Sequence, residues 1–159
     1  MLDTVGPLRV ADLPAVADEP TDPSPGAARG ASLRRIDDQV ASTLLALTED
    51  NGPFVSVQLR HLRGALSRPV PGAGVVPPIA ESFYCGVLGL GPPAVKAGFD
   101  ALTGAFGSAL GDHVPFNSLA PDQGPDRSFD ESTLDRLRAL KRERDPRATL
   151  RSNHPVVLG

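Results

Sequence analysis

The chain has 159 residues, a formal net charge of −3 and a sequence pI of about 5.5. This length suits one domain with a hydrophobic core, and the acidic balance disfavours nucleic acid or an acidic membrane as a partner. Proline and glycine are abundant, at 17 and 16 residues, so extensive irregular structure is expected.

Cysteine content and hydropathy give an expectation about the compartment. The single cysteine, Cys85, excludes an internal disulfide framework and fits a reducing environment. No apolar run approaches the ~20 residues that a membrane span needs. The N-terminus has Asp3 where a signal peptide carries positive charge. The sequence therefore predicts a soluble, cytoplasmic protein with no membrane partner.

The N-terminal part of the chain is expected to be irregular up to its first helix. Residues 1–31 hold several prolines and few large apolar side chains, so they are predicted to be mostly loop. The segment DDQVASTLLAL, residues 37–47, predicts a helix that Asp37 or Asp38 can cap. One face of this helix carries Val40, Leu44 and Leu47.

Two strands are predicted in the middle of the chain. The segment PFVSVQLRHL, residues 53–62, alternates with period two and predicts a half-buried strand. One side of it carries Val55, Val57, Leu59 and His61, and the other carries Phe54, Ser56, Gln58 and Arg60. The segment SFYCGVLGL, residues 82–90, is more continuously apolar and predicts a more central strand. Residues 68–78, rich in proline and glycine, are predicted to be a loop between the two strands.

Two further helices complete the predicted elements. The first runs from Pro92 or Pro93 to about Leu110. Its apolar stripe consists of Val95, Phe99, Leu102, Phe106 and Leu110. The last helix runs from near Ser132 to Asp145-Pro146 and is expected to bury Leu134, Leu137 and Leu140. The sequence therefore predicts an α+β fold with a small, largely antiparallel sheet flanked by helices.

The sequence does not match the common motifs for phosphate, metal or nucleic-acid binding. Residues 86–91, GVLGLG, lack the G-x-G-x-x-G spacing, so a strand end and a turn are favoured over a phosphate loop. His61, His113 and His154 are far apart, with no carboxylate or thiol at ligand spacing, so no metal site is predicted. In the last helix basic residues alternate with acidic ones, which favours a solvated surface over a nucleic-acid interface.

The C-terminal segment FDESTLDRLRALKRERDPRATLRSNHPV resembles the end of FAD-linked oxidoreductases of the berberine bridge enzyme-like group, within the vanillyl-alcohol oxidase type of flavoprotein. The matching positions are Arg136, Leu137, Leu140, Lys141, Asp145, Pro146, Arg151, Asn153 and His154. The stretch HVPFNSLAP lies where that group carries an aromatic-x-Asn-aromatic motif. More diffusely, the resemblance covers residues 2–157.

The resemblance implies a division of the chain and a cofactor. Residues 1–112 would be part of a substrate domain, and residues 113–159 would be the berberine-like segment that returns toward an FAD-binding domain. FAD would be the cofactor, receiving hydride from a small-molecule substrate, and the FAD-binding domain would be supplied in cis or in trans. Asn117 would lie near the flavin, and Asn153 with His154 would dock the chain end against the FAD-binding domain.

Substrate contacts would come from the predicted sheet. Gln58 and Arg60 lie on the polar side of the first predicted strand, with His61 beyond them, and these three are the candidate substrate-binding residues. Hydrogen bonding at the surface or between elements is the alternative role for them. No catalytic residue is identified, and the chain is not expected to turn over substrate alone.

A second hypothesis assigns no catalysis to the chain. It is then a fragment or interaction remnant that needs a separate FAD-domain partner. The proline-rich start and the unpaired sheet edges favour this alternative, because both predict exposed apolar surface.

Overall fold

A computed structural model of the chain describes residues 6–13, 16, 22–47, 52–72 and 74–156. These residues form an α+β fold, as predicted, with helices packed on one face of a three-stranded antiparallel sheet. The elements are β1 (Gly26–Leu33), α1 (Asp38–Ala46), β2 (Phe54–His61), β3 (Phe83–Leu90), α2 (Pro92–Phe106) and α3 (Glu131–Arg144).

The sheet has the strand order β1-β3-β2, and both pairings are antiparallel. The central position predicted for the second strand is confirmed, because β3 pairs with both neighbours. In the register, Cys85 of β3 lies between Ala31 of β1 and Leu59 of β2. Side chains of residues that are paired directly point to the same face, so this register determines which side chains share each face.

Strand β1 corrects the expectation that residues 1–31 are mostly irregular. Residues 26–31 belong to a strand that pairs along its whole length with β3. The sequence GAARGASL has low intrinsic strand propensity, so pairing with an apolar central strand overrides the local preference. Part of the predicted loop, residues 1–5, 14–15 and 17–21, lies outside the described residues.

Helix α2 supplies most of the core. It begins at Pro92, as predicted, and buries Val95, Phe99, Leu102 and Phe106 against β1 and β3. It ends at Phe106 rather than near Leu110, because Gly107 adopts a φ of 52°. Cys85, on the same face of the sheet, is fully buried, and this burial raises the pKa of its thiol to about 11.

Helix α1 closes the other side of the core. The Asp37 carboxylate accepts a hydrogen bond of 3.0 Å from the Val40 backbone N–H, so Asp37 is the N-cap. Val40 is fully buried, and Leu44 and Leu47 pack against the core from partly buried positions. The predicted helix and its apolar face are confirmed.

Strand β2 is less buried than its alternating sequence predicts. Val55 is 65 % exposed and Leu59 is 45 % exposed, so the prediction of a half-buried strand is wrong for this side. Val57 and Leu59 do lie on the face that carries the helices, opposite Val87 and Cys85. Helix α2, however, packs mainly on β1 and β3 and leaves Val57 and Leu59 exposed. Phe54, predicted on the polar side, lies on the helix face and packs against the core, because a β-bulge separates it from Ser56.

Helix α3 begins one residue before the predicted start and ends at the predicted Asp-Pro. The Asp130 carboxylate caps it by accepting the Thr133 N–H at 2.8 Å. Leu134 is buried, but Leu140 is 47 % exposed, so its predicted burial is wrong. The helix packs on the preceding turn, at residues 125–127.

None of the helices in the described ranges combines the length and apolarity of a membrane span.

Candidate functional site

None of the three helices described above packs on the second face of the sheet, and we call this the open face. The register places on this face Gly26, Ala28, Gly30 and Ser32 of β1, Ser56, Gln58 and Arg60 of β2, and Tyr84, Gly86, Leu88 and Leu90 of β3. Ser32, at the end beside Tyr84, is buried. Leu88 is 46 % exposed even though it belongs to the central strand. Leu88 therefore contributes apolar surface to the groove that Tyr84 also lines.

Tyr84 is the aromatic residue of the open face. A Cβ atom at Gly30 would lie 2.5 Å from Cζ of its ring, and one at Gly86 would lie 2.9 Å from its Cε1. The half-buried ring therefore lies over these two glycines, where a larger residue would collide with it. The ring therefore lies close to the backbone of the sheet and gives this face a flat aromatic surface.

Gln58 and Arg60, two predicted substrate-binding residues, lie next to Tyr84 on the open face. A hydrogen bond of 2.8 Å from the Arg60 guanidinium to the Gln58 Oε1 joins them, and both side chains are exposed. This bond leaves the Gln58 amide N–H groups as donors beside a fixed positive charge. The pair can therefore bind an acceptor or an anion placed over the sheet.

Asn117 reaches the same surface from a turn after the core. Pro115 precedes a 3-10 turn at Phe116–Ser118, which is held by a hydrogen bond of 2.8 Å from the Ser118 N–H to the Pro115 carbonyl. Leu119 anchors the turn because its side chain is buried, while Asn117 is exposed.

An open groove brings the strand residues and the turn together. It has a volume of about 380 Å³ and is lined by residues that include Gln58, Arg60, Tyr84, Leu88 and Asn117. Three residues predicted from the sequence, two for substrate and one for cofactor, therefore share one surface. The role of Tyr84 was not predicted, although its position two residues before a glycine in an apolar strand is a signal for it.

His61 lies elsewhere. It is paired with Phe83 across the sheet, and the two ring centroids are 5.2 Å apart on the face that carries the helices. Alternation along the strand separates His61 from Arg60, so the structure does not bring it to the groove.

Asn153 and His154 belong to the C-terminal tail and contact other parts of the chain. The His154 Nδ1 lies 3.0 Å from the Gln123 carbonyl, and its ring packs edge-on against Phe116 at 5.8 Å. Asn153 is exposed. These two residues are not part of the open groove, but Phe116 links the tail to the turn that carries Asn117.

Asp145 organises the start of that tail, a role that the sequence motif did not reveal. Its carboxylate accepts the backbone N–H groups of Thr149 at 2.8 Å and Leu150 at 2.9 Å, and it pairs with Lys141. The hydrogen bond from Lys141 and those from the backbone lower the pKa of Asp145 to about 2. The tail therefore leaves α3 along a route held by one ionised carboxylate.

A second cleft, of about 370 Å³, adjoins the open groove at Asn117. Two buried polar groups line it, Ser32 of β1 and Glu81, which lies two residues before the start of β3. The sequence reasoning missed both, and the only signal for Glu81 is a single acidic residue before an apolar strand.

Several of the charges of α3 are paired within the helix. Arg138 contacts both Glu131 and Asp135, and Arg144 contacts Glu143. The described part of the chain also contains no group of three or more histidine, cysteine or acidic side chains that would hold a metal ion.

No protein-family model matches the sequence, and no curated protein is significantly similar to it. The resemblance to FAD-linked oxidoreductases therefore remains a prediction carried by the residues quoted above.

Proposed function

We propose that this chain is the C-terminal portion of an FAD-dependent oxidoreductase and that its open face covers the flavin and shapes the substrate pocket. The FAD-binding domain is supplied in cis or in trans. When bound, FAD accepts hydride from a small-molecule substrate. The observation that carries the proposal is the assembly of Gln58, Arg60 and Asn117 along one open groove.

The chemistry of the groove is compatible with a flavin ring. An isoalloxazine ring is flat, with an apolar edge and an edge that both donates and accepts hydrogen bonds. The Tyr84 ring over Gly30, with exposed Leu88 beside it, offers a low apolar platform. Amide groups such as those of Gln58 and Asn117 both donate and accept, so they complement the polar edge without adding charge.

Each residue of the groove has a distinct part in the proposal. Arg60 supplies a fixed positive charge beside the ring or the substrate, and its hydrogen bond orients Gln58. Asn117 approaches from the turn and contacts the ring edge. Tyr84 and Leu88 exclude water from the apolar side of the bound group. No residue of the chain is assigned a proton-transfer role.

Titration with FMN tests the proposal on the chain as it is. We expect weak binding, seen in two-dimensional ¹H–¹⁵N spectra as shifts confined to the open face and the turn at Phe116–Ser118. Ribose 5-phosphate, which lacks the ring, should leave these signals in place. Replacing Asn117 with Ala should weaken FMN binding about threefold to tenfold, which is the value of one hydrogen bond.

The variant His61→Ala is the matched control. It changes a polar residue of the same strand, but on the opposite face, so FMN affinity should stay the same. Equal losses in both variants, or shifts scattered over both faces, would contradict the proposal.

A second candidate function is a non-catalytic interaction module that needs an FAD-domain partner. The observation that favours it is the uncovered apolar side of β2, where Val55 and Leu59 are exposed at an edge of the sheet. FMN binding at the open face separates the two candidates, because an interaction module has no need of a ring-binding surface.

For either function we propose a cytoplasmic location, in keeping with the single buried thiol of Cys85.

A further inference from the structure

We propose that the cleft lined by Ser32 and Glu81 is a binding site for a small organic amine, a compound with an ammonium group on an apolar body. This inference does not rest on the proposed flavin contact, because Ser32 and Glu81 do not line the open groove. The volume of about 370 Å³ lies in the range of small-molecule sites.

The carboxylate of Glu81 is fixed by the backbone. Its Oε1 accepts hydrogen bonds from the Asp112 N–H at 3.2 Å and the His113 N–H at 3.3 Å. Gly111 makes this position accessible, since a Cβ there would lie 2.5 Å from the Glu81 Cγ. Among the described residues no hydrogen bond is made to Oε2, which is left to bind a ligand in the cleft.

The hydroxyl of Ser32 is the second polar group of the cleft. Ser32 is 1 % exposed, and its Oγ has no hydrogen-bond partner in the described part of the structure. A buried hydroxyl without a partner is costly, so such groups in native proteins generally bind a water molecule or a ligand. A ligand N–H between Glu81 and Ser32 would satisfy both oxygens.

The apolar walls of the cleft determine what kind of body the ammonium group should carry. The apolar walls are formed by Val76, Pro77, Ile79, Val114, Phe116 and Phe129. The rings of Phe116 and Phe129 stack at 5.4 Å, which offers an aromatic surface to an apolar body or a cation.

Carboxylates dominate the electrostatics of the cleft. Asp130 is at the rim with Glu81 inside; His113 also lines the cleft, and none of the described lining residues is a lysine or an arginine. Arg34 is close enough to act on Glu81, but its guanidinium is paired with Asp112 at 2.6 Å. The field therefore favours a cation over a neutral or anionic ligand.

Benzylamine is the probe for this site, compared with benzyl alcohol and benzoate, which have the same apolar body. We expect benzylamine to shift the amide signals of residues around the cleft, and to bind at least tenfold more tightly than benzyl alcohol. Benzoate should not bind. Benzyl alcohol binding as tightly as benzylamine, or no probe shifting signals of the cleft, would overturn the assignment.

Variants separate the two polar groups. Glu81→Gln keeps the shape of the side chain and an acceptor for both backbone N–H groups, and it should lower the affinity for benzylamine about tenfold or more. Ser32→Ala should lower the affinity for benzylamine about threefold to tenfold. Glu143→Gln, which removes an exposed carboxylate from the end of α3, is the control and should have no effect. Unchanged affinity in folded Glu81→Gln protein would overturn the proposal.

Discussion

The position of the Tyr84 side chain depends on two residues that have no side chains of their own. Its ring lies over Gly30 and Gly86, which pair directly across β1 and β3. This arrangement gives the open face an aromatic surface without raising it above the sheet. A single methyl group at either glycine would disturb it.

Replacing Gly30 with Ala should therefore lift the Tyr84 ring and lower the free energy of unfolding by roughly 1–3 kcal/mol, as expected for an overpacked site. Urea unfolding measures the loss. Gly26→Ala is the control in the same strand, because its Cβ would meet nothing closer than 3.9 Å and should change stability by less than about 0.5 kcal/mol. Similar losses in both variants would contradict the position of the ring.

Asp145 makes the route of the tail dependent on pH. The free carboxyl has a pKa of about 3.9 in an unfolded chain, and the Lys141 hydrogen bond with the backbone contacts lowers it to about 2 in the folded one. A lowered folded pKa means that the stabilisation is fully present above about pH 4 and is lost as the pH falls toward 2.

Acidification from pH 5 to pH 2 should therefore release the N–H groups of Thr149 and Leu150, seen as faster amide hydrogen exchange there relative to the intrinsic rates. In the Asp145→Asn variant, the amides of Thr149 and Leu150 should already exchange faster at pH 5, and their exchange should change little more on acidification to pH 2. Protection that persists in Asp145→Asn would show that other contacts hold the tail.

Among the elements, α2 and α3 show how far sequence periodicity predicts burial. Both helices carry an apolar stripe, and the limits of α3 were predicted to within one residue. Burial depends on what faces the stripe, which periodicity does not reveal. Phe99 packs against the sheet and is 5 % exposed, whereas Leu140 is 47 % exposed.

Truncation of these two side chains should give unequal results. Phe99→Ala should lower the free energy of unfolding by about 3–5 kcal/mol, because it opens a cavity in the core. Leu140→Ala should lower it by less than about 1 kcal/mol, because much of its surface is already in water. Thermal and urea unfolding of the two variants measure the difference, and equal losses would contradict the packing described for α3.

The strands were predicted unequally, for a physical reason. The sequence of β3 is apolar and β-branched or aromatic at several positions, so it was recognised along with its central place. The sequence GAARGASL of β1 carries no such signal, and it becomes a strand only because β3 offers a complete ladder of partners. Alternation in β2 predicted the two sides of the strand correctly from Ser56 to His61. It was wrong for Phe54, because a β-bulge between Phe54 and Ser56 turns that side chain to the helix face, where it packs against the core. Alternation also did not reveal that Val57 and Leu59 would stay exposed.

For the whole molecule, the helices α1 and α2 cover one face of the sheet over β1 and β3, and the opposite, open face carries a groove. The sequence predicted that Gln58 and Arg60 share a side of one strand, since alternation is local. Asn117 lies close to these two residues only because of the path taken by the chain between Arg60 and Asn117. Alternation cannot predict that path, and only the family resemblance indicated that the three residues share a site. Glu81 and Ser32 were missed because their contact with one cleft arises entirely from tertiary packing.

The central claim is that the open face binds the flavin ring, and the most direct test is an isotope-filtered nuclear Overhauser measurement on the chain with bound FMN. We predict cross-peaks from the ring methyl groups to the side chains of Tyr84 and Leu88. Cross-peaks to Val57 and Leu59 on the opposite face instead, or none to any residue of the open face under conditions where FMN binds, would contradict the account.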